Sequence, residues 1–308
     1  MSRPPRLFCL DTVMIDVVMT VAKLPSSGAD VLARRSLLTT GGGFNAMSAA
    51  ARQGMAVAYA GKLGDGPFSA QAETSLRGEG IVAPIGASHD LDAGFCVVIV
   101  EDTGERTFLT SPGAENGLTS RDLGGLDVAA GDFVLVSGYN VMYPGMAEVV
   151  LGWLGALDDG AVVVVDPSNR VYDIPAPYLE SVLARADWIV CNETEALELS
   201  GVDDVIRAAQ ALARRTRKEN ALVRHGASGC TVVEGGAAPV TVDAYETEVV
   251  DTNGAGDTHN GVFIAELARG VGAREAARWA NAAASLAISQ LGPATCPART
   301  TIRERLDS

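Results

Sequence analysis

Of the 308 residues, 47% are hydrophobic and 20% charged, which is material for a sizeable core and not the composition of a disordered chain. Thirty-eight acidic against 24 basic side chains leave a formal charge of −14, so nucleic acid or an anionic membrane would be repelled over most of the surface, and a small-molecule substrate fits better. Five cysteines stand far apart with no C-x-x-C pair, which argues against a sequence-local zinc knuckle or redox motif and suits a reducing compartment.

In chain order, Arg3 and Arg6 precede an apolar run that Asp11 and Asp16 interrupt before a signal sequence is complete, and no run of 18 apolar residues occurs elsewhere, so the expectation is a cytoplasmic protein. Short apolar runs read as buried strands at RLFCLDTV from 6, VAYAG from 57, FVLVSG from 133, AVVVVD from 161, DWIVC from 187 and ALVRHG from 221. Several alternate with segments of helical period beginning at Asn45, Gly145, Glu193 and Asp203, the pattern of a mainly parallel sheet flanked by helices. Two regions break the alternation. FCVVIVEDTGERTFLT, from 95, places two β-rich runs around Asp102-Thr103-Gly104 and reads as a hairpin. The stretch from about 14 to 40 is rich in Val, Thr and Leu, with a Pro25-Ser26-Ser27-Gly28 turn. Regions 14–40 and 93–112 are expected to form a small β-sheet lid within one α/β domain spanning 1–308.

Three stretches carry candidate chemistry. TGGGFNAMSAAARQG, from 40, sets Gly41, Gly42 and Gly43 before a helix with Asn45 at its start. The glycines let a ligand approach the backbone, and Asn45 offers a donor and an acceptor to a polyol; the plainer alternative is a turn with Asn45 as N-cap. Gly41-x-Gly43-x-x-Ala46 also matches a dinucleotide fingerprint, but some 27 residues separate it from the strand that a nicotinamide site would follow directly. Asn192-Glu193-Thr194-Glu195 follows a strand, where α/β sheets bind ligands, so Glu195 is placed to act on a metal or its waters; ordinary helix capping explains the same residues.

The third stretch is DTNGAGDTHNG, from 251, where Asp257-Thr258 begins a helix that runs to about Arg269, with Gly270 as C-cap. Gly254, Ala255 and Gly256 at its N-terminus would turn several free N–H groups toward one point, an anion hole. A carboxylate there, Asp257, could take a proton from a hydroxyl while the N–H groups hold a transferring phosphoryl group. A bare helix cap would leave the joint occurrence of two aspartates and two glycines unexplained. Neither the Lys-bearing phosphate loop nor the protein-kinase motif set is present.

Together these residues resemble the ribokinase-like (PfkB) family of carbohydrate and nucleoside kinases. The motifs run in the family's order over almost the whole chain: Asp16, then Gly41, Gly42 and Asn45, GERT on the hairpin, Asn192 with Glu195, HGASG from 225, and DTNGAGD from 251. The resemblance implies a ribokinase-like fold and phosphotransfer from ATP to a hydroxyl of a small sugar, with Asp257 as base and Gly254, Ala255 and Gly256 as the anion hole. It implies that Asp16, Gly41, Gly42 and Asn45 hold the sugar, and that Asn192 and Glu195 organise Mg²⁺ through water. Arg224 could offer a cation to a nucleotide phosphate, a surface ion pair being the alternative. Gly226 and Gly229 would pass beneath the nucleotide, Asn281 would lie near the adenine, and Asp251 with Asn253 would hold a monovalent cation such as K⁺. The lid would also form the contact of a homodimer.

Departures from the family pattern bear on the acceptor. Thr40 replaces a glycine, Phe44 adds bulk beside Asn45, Asp11 stands where glycine or asparagine is usual, and His259 takes an aromatic position as a packing or supporting residue. A nucleoside kinase on the same scaffold is the alternative, set back by 5% aromatic content and no evident aromatic pair in the lid; a catalytically silent sugar-binding protein is a further one.

Overall fold

The structure, a computed structural model, describes residues 3–307. Its strands are β1 (Arg6–Leu10), β2 (Val13–Val21), β3 (Arg35–Gly42), β4 (Ala56–Tyr59), β5 (Phe95–Glu101), β6 (Arg106–Ser111), β7 (Phe133–Ser137), β8 (Val162–Asp166), β9 (Trp188–Asn192), β10 (Ala221–Arg224), β11 (Cys230–Val233) and β12 (Val240–Val242). Its α-helices are α1 (Phe44–Arg52), α2 (Pro67–Gly78), α3 (Ser120–Gly124), α4 (Pro144–Ala156), α5 (Ala176–Arg185), α6 (Glu193–Ser200), α7 (Val205–Ala213), α8 (Ala255–Ala268), α9 (Ala273–Ala287) and α10 (Arg299–Asp307).

Eight strands form the main sheet in the order β12-β11-β10-β9-β8-β7-β1-β4, parallel from β10 to β4 and antiparallel at the β11 and β12 edge. Strands covered on both faces need apolar side chains at every position, which is why β7 and β8 read as unbroken runs. Two apolar clusters result. Leu7, Met47, Tyr59, Val190 and Phe263 belong to the one that contains α1, α8 and α9, and Leu10, Val136, Leu154, Leu183 and Ile189 to the one that contains α4, α5 and α7.

Four strands form a second sheet, β3-β2-β5-β6, drawn from the two regions that break the alternation. Its edge strand β3 leads through the glycine run into α1, so these glycines do not follow a strand of the parallel sheet, and a nicotinamide site has no place there. At the carboxyl ends of the main sheet the apolar runs stop at polar side chains: Asp11 just past β1, Ser137 on β7, Asp166 on β8, Asn192 on β9 and Arg224 on β10.

Helices α1 and α8 cross closely on one face of that sheet. A Cβ added at Gly261 of α8 would lie 2.3 Å from the Ala46 carbonyl oxygen and 2.8 Å from the Ala49 Cβ, so only glycine allows this approach. The contact sets the distance between the first turns of the two helices, where Asn45 and Asp257 sit. Substituting Gly261→Ala should therefore lower stability by about 1–3 kcal/mol, an overpacking cost read in a urea melt.

Candidate active site

A cleft of about 630 Å³ opens where the second sheet overhangs the polar strand ends. Asp11, Asp16, Gly42, Asn45, Asp166, Glu195, Arg224, Asn253, Gly256, Asp257 and Asn260 line it, with Phe108, Tyr139 and Tyr143 supplying aromatic faces. Of the residues singled out in the sequence, Asp16, Gly42, Asn45, Glu195, Arg224, Asn253, Gly256 and Asp257 thus converge on one space.

Asp257 is the third residue of α8, whose first turn begins two residues earlier than the sequence suggests, with Gly254 as N-cap at φ 73°. It is therefore an in-helix carboxylate and not the cap. Its Oδ2 accepts a 3.0 Å hydrogen bond from Asn45 Nδ2, and Asn45 is likewise inside its helix, one residue past Phe44. The Ala255 N–H turns back to the Thr252 carbonyl at 3.3 Å, so of the expected cradle Gly256 lies nearest the cleft; helix geometry leaves the N–H groups of this first turn without intrahelical acceptors. Gly41 is fixed by Asp16 on the paired strand β2, since a Cβ there would lie 2.3 Å from Asp16 Oδ2.

Behind Asp257 a charged network joins the ends of two strands, β8 and β10, to α8. Asn260 Nδ2 donates to Asp166 Oδ2 at 2.6 Å, Arg224 Nη1 donates to Asn260 Oδ1, and Arg224 Nη2 stands 3.5 Å from Asp166 Oδ2. Arg224 is not a surface ion pair: burial opposes its charge, but Asp166 and Glu195 outweigh that and raise its pKa. Glu195 closes a capping box with Asn192, its Oε2 accepting from the Asn192 N–H and its own N–H donating to Asn192 Oδ1, both at 2.9 Å. It also lines the cleft, where burial and the charge of Asp166 raise its pKa against the pull of Asn192 and Arg224. The capping and ligand-facing readings of this motif therefore hold together.

Glu195 and Asp166 both line the cleft, and two carboxylates of this kind suit a Mg²⁺ that keeps most of its ligands as water and phosphate. Among the described residues no three His, Cys, Asp or Glu side chains converge as a dedicated metal cage. A monovalent cation at Asp251 and Asn253 fits poorly. Asp251 Oδ1 accepts from Arg106 Nη2 at 2.7 Å and from the Asn253 N–H at 3.0 Å, and Oδ2 accepts from the Gly292 N–H at 3.2 Å. A guanidinium already stands against this carboxylate.

Gly226, Gly229 and Asn281 lie apart from the cleft lining, around the β10–β11 turn and β12. A Cβ at Gly229 would lie 2.0 Å from the Val242 carbonyl oxygen, and Asn281 Nδ2 donates 3.0 Å bonds to that same oxygen and to the Asp243 carbonyl. Gly229 and Asn281 thus share one backbone segment, Val242 and Asp243, and Gly226 joins Gly229 through the Gly229 N–H, which donates to the Gly226 carbonyl at 3.2 Å. Because the Asn281 amide nitrogen donates there, its Oδ1 is the acceptor for His259 Nε2 at 3.0 Å, which sets the imidazole tautomer. Burial and the nearby Arg224 push the His259 pKa down to about 3, so the ring is neutral and packed.

Among the departures from the family pattern, Thr40 and Phe44 do not shape the pocket: Thr40 Oγ1 pairs with Ser75 Oγ of α2 at 2.7 Å and Phe44 is buried in the core. Asp11 does, as part of the cleft lining. Burial, then the charge of Asp257, raises its pKa to about 7, and the same two causes raise that of Asp16 to about 6. Asp257 is raised to about 6 by burial and by Asp166, with Asn45 and Arg224 opposing. Sequence reasoning missed Asp166, Asn260, Tyr139 and Phe108; for Asp166 the available signal was its place where the AVVVVD run ends, the same rule that picks out Asn192.

A fold with a ligand cleft at the carboxyl ends of a mainly parallel sheet, a small β lid, and a carboxylate in the first turn of a glycine-led helix defines the ribokinase-like class. The model of the pfkB family carbohydrate kinases matches residues 4–300, and the chain belongs to that family. It is 31% identical over 301 residues, 93% of this chain and 89% of the relative, to an uncharacterized sugar kinase of Escherichia coli, YegV. In structure it resembles the ribokinase of Thermotoga maritima, with a TM-score of 0.87 at 24% identity, covering 99% of this chain and 100% of that one. It also resembles the ribokinase of Arabidopsis thaliana, solved in complex with ribose and ATP, with a TM-score of 0.82 at 22% identity, covering 100% of each chain.

The acid cluster makes stability depend on pH with a definite sign. Asp11, Asp16 and Asp257 have folded pKa values above the ordinary range, so their contribution is full below about pH 4 and is lost as pH rises through about 7. Asp11→Asn should flatten this slope in urea melts, and it should be on the order of 1 kcal/mol more stable than the parent at about pH 8 but not at about pH 4.

Proposed function

We propose that the protein is an ATP-dependent kinase that transfers the γ-phosphoryl group of ATP to a hydroxyl of a small sugar. The observation that carries this reading is the placement of Asp257, facing the cleft from the first turn of α8 and held there by Asn45. Asp257 takes the proton of the acceptor hydroxyl as its oxygen bonds to the γ-phosphorus and the bond from phosphorus to the leaving ADP oxygen breaks. The Gly256 N–H and the positive end of the helix hold the charge of the transferring group, with Gly254 and Ala255 shaping the turn that presents them. Asp16, Gly41, Gly42 and Asn45 hold the sugar. Arg224, Gly226, Gly229 and Asn281 serve the nucleotide side, and Asn192 keeps Glu195 aimed. Mg²⁺, held through water by Glu195 with Asp166 close by, neutralises phosphate charge when bound.

The whole chain works as one α/β unit in which the lid, 14–40 and 93–112, covers the cleft and limits hydrolysis of ATP by water. Across the lid, Leu38 pairs with Val17, Val17 with Val97, and Val97 with Leu109, so these four share one face, with Leu38 52% and Leu109 56% exposed. That apolar row supports a homodimer through the lid. Five unpaired, buried cysteines suit a cytoplasmic enzyme.

A nucleoside acceptor is the second reading, and Phe108, Tyr139 and Tyr143 favour it, because aromatic faces around the cleft could stack a base. Phe108 comes from the lid and the tyrosines from the segment after β7, so no single stretch of sequence displays them together. A panel of sugars and nucleosides in a coupled ADP-release assay separates the two. Turnover with sugars is expected, and turnover with nucleosides alone would transfer the assignment to them.

Asp257→Asn should lower kcat roughly 10²–10⁴-fold with ATP affinity nearly unchanged, since the loss lies in the transition state. An Asn variant with normal turnover would place the base elsewhere, and a parent chain silent toward every acceptor would make it a binding protein. In the active parent, kcat/KM should rise with pH through about 6 as Asp257 loses its proton.

A further inference from the structure

Arg106 is the arginine of the GERT turn in β6, on the lid, yet its guanidinium ends 145 residues away in sequence, on Asp251 of the catalytic turn. The pair is no loose surface contact, for the side chains are 31% and 10% exposed. Asp251 is fixed from both ends. Arg106 and the Asn253 N–H share Oδ1, the Gly292 N–H takes Oδ2, and the Asp251 N–H donates to the Ile288 carbonyl at 3.1 Å. Asn253 directly precedes Gly254, the N-cap of α8. The carboxylate therefore braces the turn from which the helix N–H groups project, and a positive charge is what allows a poorly exposed carboxylate to stay ionised there. Burial would raise its pKa, but the bonds from Arg106, Asn253 and Gly292 outweigh burial and hold it below the ordinary carboxylate range.

A monovalent cation would supply such a charge from solvent. Here the chain supplies its own. We propose that Arg106 is a positioning residue whose guanidinium takes the place of a monovalent cation on Asp251, so that the catalytic turn is organised without K⁺ and its order is tied to the seating of lid strand β6. This rests on the kinase reading given above. It also explains why the lid arginine points along the body of the protein and not into the acceptor end: on one lid face, Val98 pairs with Phe108 and Val100 with Arg106, so Phe108 lines the cleft while Arg106, two residues earlier, reaches past it to the turn.

The test compares the parent, Arg106→Ala and Arg106→Lys in chloride salts of K⁺, Na⁺ and tetramethylammonium at one ionic strength. Two quantities are read: kcat with the acceptor found in the panel, and melting temperature without any ligand. The parent should differ by less than about twofold in kcat between the salts and should melt at one temperature in all of them. Arg106→Ala should lose activity in tetramethylammonium and regain about fivefold or more in K⁺, with a melting temperature that K⁺ alone raises, as mass action requires of a newly opened cation site. Arg106→Lys, which keeps a cation on the lid, should remain insensitive to salt identity. Parent activity or melting that depends on K⁺ would overturn the proposal, as would an alanine variant indifferent to the cation in both readouts. Should no acceptor be turned over, the kinase reading fails by itself, while the melting series still decides whether Arg106 replaces a cation at Asp251.

Discussion

The close crossing of α1 and α8 is the constraint on which the candidate site depends. Gly261 removes the one Cβ that would hold the helices apart, Asn45 and Asp257 then come within a 3.0 Å hydrogen bond, and that bond orients a carboxylate that burial would otherwise drive to its neutral form. Everything else in the cleft is arranged with respect to this point. Asp16 and Asp11 approach from the lid strand and the end of β1, and Asp166, Asn260 and Arg224 close it from behind. A helix start is suited to anions because helix geometry leaves N–H groups of its first turn without intrahelical acceptors, and here Gly256 brings that turn to the cleft without an added side chain.

The charge distribution follows a similar economy. A chain of net charge −14 concentrates acids even at its cleft, where Asp11, Asp16, Asp166, Glu195 and Asp257 face a ligand that would itself be anionic. Two arginines offset this from inside the molecule. Arg224 pairs with Asp166 behind Asp257, and Arg106 pairs with Asp251 below the turn that leads into α8. Neither is free at the surface to bind anions at large, so the repulsion that keeps polyanions away is compatible with a local site for one nucleotide.

Much of this was legible in the sequence because the relevant signals are local. Apolar runs such as AVVVVD mark strands buried on both faces, DTNGAGD marks a glycine-led helix start, and DTGERT marks the hairpin between β5 and β6. What could not be read depends on contacts between distant segments. The pairing of Arg106 with Asp251, the Asp166–Asn260–Arg224 network and the joint appearance of Phe108 with Tyr139 each require the topology first. Local reasoning also misjudged two positions next to a true signal. Thr40 and Phe44 flank the glycine run, yet the β3-to-α1 turn directs Thr40 toward α2 and Phe44 into the core, leaving Asp11 as the departure that reaches the ligand space. The start of α8 at Ala255 differs from the expected Asp257 because Gly254, at positive φ, ends the incoming chain earlier than an aspartate cap would.

The row of polar residues at the strand ends has a consequence for how such an enzyme can change. Asp11, Ser137, Asp166, Asn192 and Arg224 each end or directly follow a different strand whose apolar residues pack into the core. A mutation at one of the four tips that line the cleft, Asp11, Ser137, Asp166 or Arg224, alters that lining while the apolar residues beneath keep their places in the core. Asp11 and Asp16, from the end of β1 and lid strand β2, and Asp166 and Arg224, from the ends of β8 and β10, are therefore sets of lining residues that can vary separately. One scaffold can thus carry different polar linings on an unchanged apolar sheet.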